Sequence, residues 1–147
     1  MRARNMHHAG VGAVPLVVAV DFLESRIWKL EHVEDDNGKR ITAATPWGIH
    51  KLHSKKTDPI DMYSVQSDPE YWAALAKEVS GGTDIVLLGH GKGKSNASHL
   101  FAGYLEKHHK DVAHRIQGEI RCDIDSITDA QLVQIGRDFF ERLDVLA

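Results

Sequence analysis

The segment from Gly89 to Ser95 has the residue types that come nearest to a phosphate-binding motif. It reads Gly-His-Gly-Lys-Gly-Lys-Ser. A Walker A motif needs four residues between its first glycine and its Gly-Lys-Ser/Thr end, but only three separate Gly89 from Gly93. The motif therefore fails by one residue, and nucleotide hydrolysis of the P-loop kind is not predicted.

The same segment keeps the physical features of an anion site. A strand, a glycine-rich turn and a helix in succession point backbone N–H groups and the positive end of a helix dipole at one place. Two lysines add positive charge there, so the predicted anion-binding residues are Gly91, Lys92, Gly93, Lys94 and Ser95. The alternative interpretation is that the glycines only form a tight turn and that solvent surrounds the lysines.

Carboxylates and histidines raise two metal hypotheses. Asp21 ends the first predicted strand, where ribonuclease-H-like nucleases keep a metal ligand, and Asp84, Asp123 and Asp125 are further candidates. A nuclease would need these carboxylates to converge, so a role for Asp21 in a hairpin turn is the simpler interpretation. The ten histidines are dispersed and match no common zinc spacing. We predict no metal, no cofactor and no catalytic residue, which favours a protein that is not an enzyme.

Length and composition point to one soluble domain. The chain has 147 residues, 42% of them hydrophobic, which is enough for one core. We interpret residues 1–14 as a flexible leader and residues 15–147 as the domain. No apolar run approaches the roughly 20 residues that cross a bilayer, so no membrane partner is predicted. The single cysteine excludes an internal disulfide, and a cytoplasmic location is expected.

Hydrophobic periodicity predicts an α/β fold, a mixed β-sheet flanked by helices. Five segments have the apolar or alternating composition of strands: residues 15–20, 25–31, 40–45, 84–89 and 118–124. Helical spacing follows Ser67, Ser95 and Ser126, with further helical turns between Asp111 and Gln117. The predicted order is β-β-β-α-β-α-α-β-α, a layout also seen in ribonuclease-H-like folds.

Four stretches of the sequence carry the landmarks of one known family. They are Val17–Trp28, Asp84–Ser95, Tyr104–Gly118 and Ser126–Val133. In this order they resemble bacterial relatives of the middle domain of archaeo-eukaryotic peptide-release factors and of Pelota, called translational machinery proteins. The resemblance covers residues 16–140. It implies a ribosome-linked ancestry and a fold of the translational-machinery-component type.

The resemblance also indicates what this chain lacks. In release factors the long loop after the third strand carries Gly-Gly-Gln, which positions water against the peptidyl-tRNA ester. The corresponding stretch here is Leu52–Met62, and the chain contains no Gly-Gly-Gln. Pelota also has a middle domain without this tripeptide. Peptide release by that mechanism is therefore not expected, whereas ribosome binding is.

The leading hypothesis is a translation-associated, non-catalytic domain that binds the ribosome or RNA. Its predicted contact loop offers Trp47 for base stacking and Lys51, Lys55 and Lys56 for phosphates. Two alternatives stay open. One is a hydrolase that holds a phosphate-bearing substrate at residues 89–95, with Asp21 and a metal. The other is a protein-interaction domain that forms a homodimer.

Overall fold

The computed structural model describes residues 12–30, 38–43, 69–91 and 95–146, with side chains up to residue 143. In these ranges the strands are β1 (Pro15–Ala19), β2 (Glu24–Lys29), β3 (Lys39–Thr42), β4 (Asp84–Gly89) and β5 (Ile116–Arg121). The helices are α1 (Pro69–Val79), α2 (Ala97–His108), α3 (Lys110–Ala113) and α4 (Asp129–Leu146). The predicted α/β fold, a mixed sheet flanked by helices, is confirmed.

The five strands form one sheet in the order β3-β2-β1-β4-β5. Strand β1 pairs antiparallel with β2 and parallel with β4, and β4 pairs parallel with β5. Parallel neighbours need a crossover connection, and α2 with α3 lies in the crossover from β4 to β5. The carboxyl ends of β1, β4 and β5 therefore lie at one edge of the sheet, which we call the carboxyl edge.

Both faces of the sheet are covered, which explains the unbroken apolar run in β1. Leu16 and Val18 pack with α1, α2 and α3, whereas Val17 and Ala19 pack with α4. Successive side chains of a strand point to opposite faces, so a strand buried on both sides needs apolar residues at every position. Each of these four residues is at most 1% exposed.

The start of α4 is tied to the sheet by two arginines. The Asp129 carboxylate accepts a hydrogen bond from Arg26 of β2 at 2.7 Å and another from Arg40 of β3 at 3.0 Å. Arg26 also donates to the Ile124 carbonyl oxygen at 3.2 Å. Because Asp129 is the first residue of α4, its charge also lies favourably at the positive end of the helix dipole.

Several predicted boundaries need correction. Strand β5 begins at Ile116 rather than Gly118 and ends at Arg121, and α2 begins at Ala97 after its N-cap residue. Val14, assigned to the leader, accepts a hydrogen bond from the Thr83 N–H and donates one to the Thr83 hydroxyl. The division into a leader of residues 1–14 and a domain of residues 15–147 stays a prediction, because residues 1–11 lie outside the described residues. Of the helices in the described ranges, none has the length and apolar character to cross a membrane.

Candidate functional site

The turn after β4 is anchored at both of its described ends. Gly91 has φ +95°, a left-handed conformation that favours glycine. Its carbonyl oxygen accepts a hydrogen bond from Asn96 Nδ2 at 3.2 Å. A Cβ atom at Gly91 would lie 2.7 Å from Ser95 Oγ and 2.8 Å from the Ser95 carbonyl oxygen. Ser95, at the end of the turn, therefore lies close to Gly91 at its start.

Gly89 allows α2 to approach the end of β4 closely. A Cβ atom at this position would lie 2.2 Å from Ser98 Oγ and 2.3 Å from Asn96 Oδ1. Both contacts are shorter than van der Waals separation, and neither side chain has free space to move because both are buried. The glycine is therefore required for the packing that fixes the turn.

Asn96 is the N-cap residue of α2, a role that the sequence prediction missed. Its side-chain oxygen accepts hydrogen bonds from the Ser98 N–H at 2.9 Å, the Ser98 hydroxyl at 2.7 Å and the His99 N–H at 3.3 Å. Asparagine is a preferred N-cap residue because this bond satisfies helix N–H groups that lack an intrahelical acceptor. Two of the N–H groups expected to face an anion therefore already have an acceptor within the chain.

The predicted anion-binding residues are placed only in part. Gly91 and Ser95 lie in contact at the two ends of the turn. Lys92, Gly93 and Lys94 connect them but lie outside the described residues. The predicted contact loop, which comprises Trp47, Lys51, Lys55 and Lys56, also lies outside them. Its role stays a prediction.

Polar residues that follow three parallel strands meet at the carboxyl edge. Asp21 follows β1, His90 follows β4, and Asp123 and Asp125 follow β5. His90 Nδ1 lies 3.6 Å from Asp123 Oδ1, and both side chains are more than half exposed. The sequence suggests the three aspartates as metal ligands of a nuclease, whereas His90 enters only as one of the dispersed histidines and not together with them. Its place directly after a predicted strand was the available signal, since open α/β sheets bind ligands beyond their carboxyl strand ends.

The pKa of Asp21 is raised above its ordinary value, chiefly because partial burial removes water from the carboxylate. The neighbouring Asp125 carboxylate raises it further, while the Phe22 backbone N–H, Arg26 and His90 lower it. A carboxyl group with a raised pKa at a strand end is a feature that catalytic sites share. Among the residues that the structure describes, no three His, Cys, Asp or Glu side chains are grouped so that they could hold a metal ion.

Tyr71 of α1 holds the segment that carries Asp21. Its hydroxyl donates to the Asp21 carbonyl oxygen at 2.5 Å and shares a hydrogen bond of 2.6 Å with the Ser25 hydroxyl. Tyr71 and Ser25 are almost completely buried. The turn between β1 and β2 is thereby fixed from the side of α1, so the backbone beside the Asp21 carboxylate has one defined position.

Comparison of the chain with family models, with curated proteins and with solved structures gives no match. The carboxyl edge therefore has to be interpreted from its own residues. It combines a turn anchored at Gly91 and Ser95 with the acidic side chains of Asp21, Asp123 and Asp125 and with His90. This edge can accept or release a proton through Asp21, whereas anion binding by the turn stays a prediction.

We expect Asp21→Asn to raise the melting temperature at neutral pH and to lose this advantage as the pH falls. When the pKa of a carboxyl group is higher in the folded than in the unfolded state, the protonated group stabilises the fold. This stabilisation is complete at pH values below the unfolded-state pKa, and it is lost as the pH rises through the folded-state pKa. The amide is neutral throughout, so it escapes the cost of ionising Asp21. Thermal melts between pH 4 and pH 7.5 measure the difference.

The exposed Asp138 of α4 provides the matched control. Asp138→Asn removes the same charge from an exposed position in the middle of α4, so it would not reproduce a pH trend that originates at Asp21. A melting temperature of Asp21→Asn that is equal to or below that of the wild type at neutral pH would contradict the raised pKa of Asp21.

Proposed function

We propose that this chain is a translation-associated, non-catalytic domain that binds ribosomal or other RNA through the turn at residues 89–95. One observation carries the proposal. Both anchor points of the turn, Gly91 and Ser95, are held in place next to the buried cap residue Asn96. The three residues between these anchors are Lys92, Gly93 and Lys94, so two ammonium groups are attached to a fixed frame.

A phosphate backbone is the partner that suits such a turn. Lysine binds phosphate as a point charge and needs no fixed hydrogen-bond geometry. Fixed anchor points at both ends of a turn reduce the conformational entropy that ligand binding costs. The carboxylates of Asp21, Asp123 and Asp125 at the same edge repel phosphates. We therefore propose that RNA passes along the turn and avoids the end of β5.

The predicted loop at residues 47–56 is proposed as the second contact of the same interface. Trp47 would stack on an unpaired base, and Lys51, Lys55 and Lys56 would neutralise phosphates. The net charge of the chain is -3, so a contact with RNA must come from local groups of cations such as these.

The link to translation comes from the sequence resemblance to release-factor middle domains. The sheet order supports the proposed ribonuclease-H-like type, because β1 lies between an antiparallel β2 and a parallel β4. Under this proposal the protein acts in the cytoplasm, where ribosomes are found. The missing Gly-Gly-Gln supports a binding role over peptide release.

Co-sedimentation with ribosomes across a salt series tests the proposal. We expect the wild-type protein to migrate with a ribosomal subunit at low salt and to dissociate as salt rises, because each neutralised phosphate releases counterions. The double variant Lys92→Gln/Lys94→Gln should bind more weakly. Its plot of log affinity against log salt should be shallower by about 1.4 to 1.8, since each phosphate contact contributes about 0.7 to 0.9.

Two further variants locate the contact. Lys51→Gln/Lys55→Gln/Lys56→Gln tests the predicted loop, and Arg137→Gln/Arg142→Gln is the matched control on α4, on the opposite face of the sheet from α2. We expect the control to behave as the wild type. The proposal is wrong if the wild type stays at the top of the gradient at low salt, or if the control loses as much affinity as the lysine variants.

A phosphate-ester hydrolase is the second candidate, and the convergence of polar groups at the carboxyl edge favours it. Asp21, with its raised pKa, could serve as a general acid or base beside a phosphate held by the turn. Such an enzyme should gain thermal stability with Mg²⁺, Mn²⁺ or a nucleotide, and Asp21→Asn should remove that gain. Equal melting temperatures with and without each of these ligands would exclude this candidate.

A further inference from the structure

The corner between α2 and α3 presents aromatic rings and cations on one surface. Its residues are Tyr104, Lys107, His108, His109 and Lys110, which we call the α2–α3 corner. Tyr104 and His109 are half-buried, whereas the other three are exposed. Helix α2 starts at the carboxyl edge and runs back across the sheet, so this corner lies at the opposite edge from the turn at residues 89–95.

Contacts of Arg115, just after α3, fix the position of the corner. The Arg115 guanidinium donates to the carbonyl oxygens of Ser80 at 2.8 Å and of Gly82 at 3.0 Å, immediately before β4. It also lies 3.6 Å from the Asp111 carboxylate. Arg115 therefore has a structural role, and it partners the one acidic residue of α3.

The rings at the corner are supported by a row of buried rings. Tyr104 lies 4.6 Å from His108 and 5.8 Å from His109, measured between ring centroids. On its inner side Tyr104 stacks on Phe101 at 6.5 Å with an interplanar angle of 12°. Phe101 in turn lies 5.6 Å from Trp72 and is completely buried. The half-buried Tyr104 ring is therefore held in one orientation before any ligand arrives.

The cations of the corner are not explained by internal ion pairs. In the ranges that the structure describes, Lys107 and Lys110 have no carboxylate partner, and the Tyr104 hydroxyl has no hydrogen-bond partner. The acidic residues next to the corner in the sequence are the exposed Glu106 and Asp111, and Asp111 is the partner of Arg115. Favourable interaction with the helix dipole accounts for cations at the end of α2. It does not account for the tyrosine and imidazole rings grouped beside them.

We propose that the α2–α3 corner is a further RNA contact, separate from the turn and the loop, which stacks an unpaired base on Tyr104 and His108 and binds the flanking phosphates through Lys107 and Lys110. Fixed aromatic faces beside cations are the combination that single-stranded nucleic acids bind. A paired base hides its faces within the helix, so single-stranded segments are the substrate. The choice of RNA over DNA rests on the proposed function.

Fluorescence anisotropy with a labelled single-stranded RNA of about ten nucleotides tests the inference. The variant Tyr104→Leu keeps an apolar side chain against Phe101 and removes the stacking ring, so affinity should fall about tenfold. Tyr104→Phe keeps the ring and should bind as the wild type. Lys107→Gln/Lys110→Gln should weaken binding and lower the salt slope by about 1.4, while Arg137→Gln/Arg142→Gln should change neither.

The outcomes separate this inference from the proposed function. Loss of the RNA affinity in Tyr104→Leu, with an unchanged melting temperature and intact binding by Tyr104→Phe, supports the stacking site. Equal affinity of Tyr104→Leu and wild type overturns it. Tighter binding of duplex RNA also overturns it, and equal affinity for single-stranded DNA overturns the assignment to RNA. Ribosome co-sedimentation that depends on Lys92 and Lys94 would leave the proposed function standing in each of these cases.

Discussion

Replacing Phe101 by alanine is expected to lower the free energy of unfolding by about 3 to 5 kcal/mol. Phe101 is completely buried and lies between Trp72 of α1 and Tyr104 of α2. The change removes the transfer free energy of the ring and leaves a cavity that helices on a fixed sheet fill only in part. A domain of this size is stable by about 5 to 15 kcal/mol, so the loss is a large fraction of the total. Urea denaturation followed by circular dichroism measures it.

Phe101→Leu is the control for this prediction, because it keeps most of the buried volume. We expect it to cost clearly less than the alanine variant, with the same dependence of the free energy on urea. A cost below about 1 kcal/mol for Phe101→Ala would show that the ring row from α1 to α2 is not a core element. Phe101 would then also not hold the Tyr104 ring in one orientation, as we infer above.

Gly136→Ala and Gly103→Ala should change stability in opposite directions, although both glycines lie within helices. A Cβ atom at Gly136 of α4 would lie 2.3 Å from Val17 Cγ2 and 2.8 Å from its Cγ1, and Val17 is completely buried. Overpacking of this kind costs about 1 to 3 kcal/mol. A Cβ atom at Gly103 of α2 meets nothing within 4 Å, so alanine there should stabilise by about 1 kcal/mol through its higher helix propensity.

The two glycine variants are best compared in one series of urea titrations. The third variant of the series is Val17→Ala, which removes both of the Val17 atoms that an alanine at position 136 would meet first. The double variant Gly136→Ala/Val17→Ala should therefore be more stable than the sum of the two single effects predicts. Additive effects, or a stabilising Gly136→Ala, would show that α4 does not approach β1 as closely as described.

Much of the fold is predictable because it follows from local patterns. The apolar run from Pro15 to Val20 and the similar run after Asp84 predict buried strands, and both lie in the centre of the sheet. The helices follow from apolar residues that recur at helical spacing, such as Tyr71, Leu75 and Val79 on the buried face of α1. Boundaries were less accurate, because side-chain caps such as Asn96 decide where a helix begins.

The candidate site was predictable only where neighbours in sequence are neighbours in space. Gly91 and Ser95 belong to one turn, so the glycine pattern was sufficient to predict it. The contact of His90 with Asp123 joins the ends of two strands, and it depends on β4 and β5 being parallel neighbours. The Tyr104 ring row depends on how α1 packs against α2.

The sequence by itself determined the class of fold, the elements and the glycine-rich turn, since hydrophobic period and turn chemistry act over a few residues. The tertiary structure alone decided which side chains meet. Arg26 and Asp129 are 103 residues apart in the chain, and Ser25 and Tyr71 are 46 apart. Such pairs form only after strand order and register bring distant segments together, because a shift by one residue moves every side chain of a strand to the opposite face.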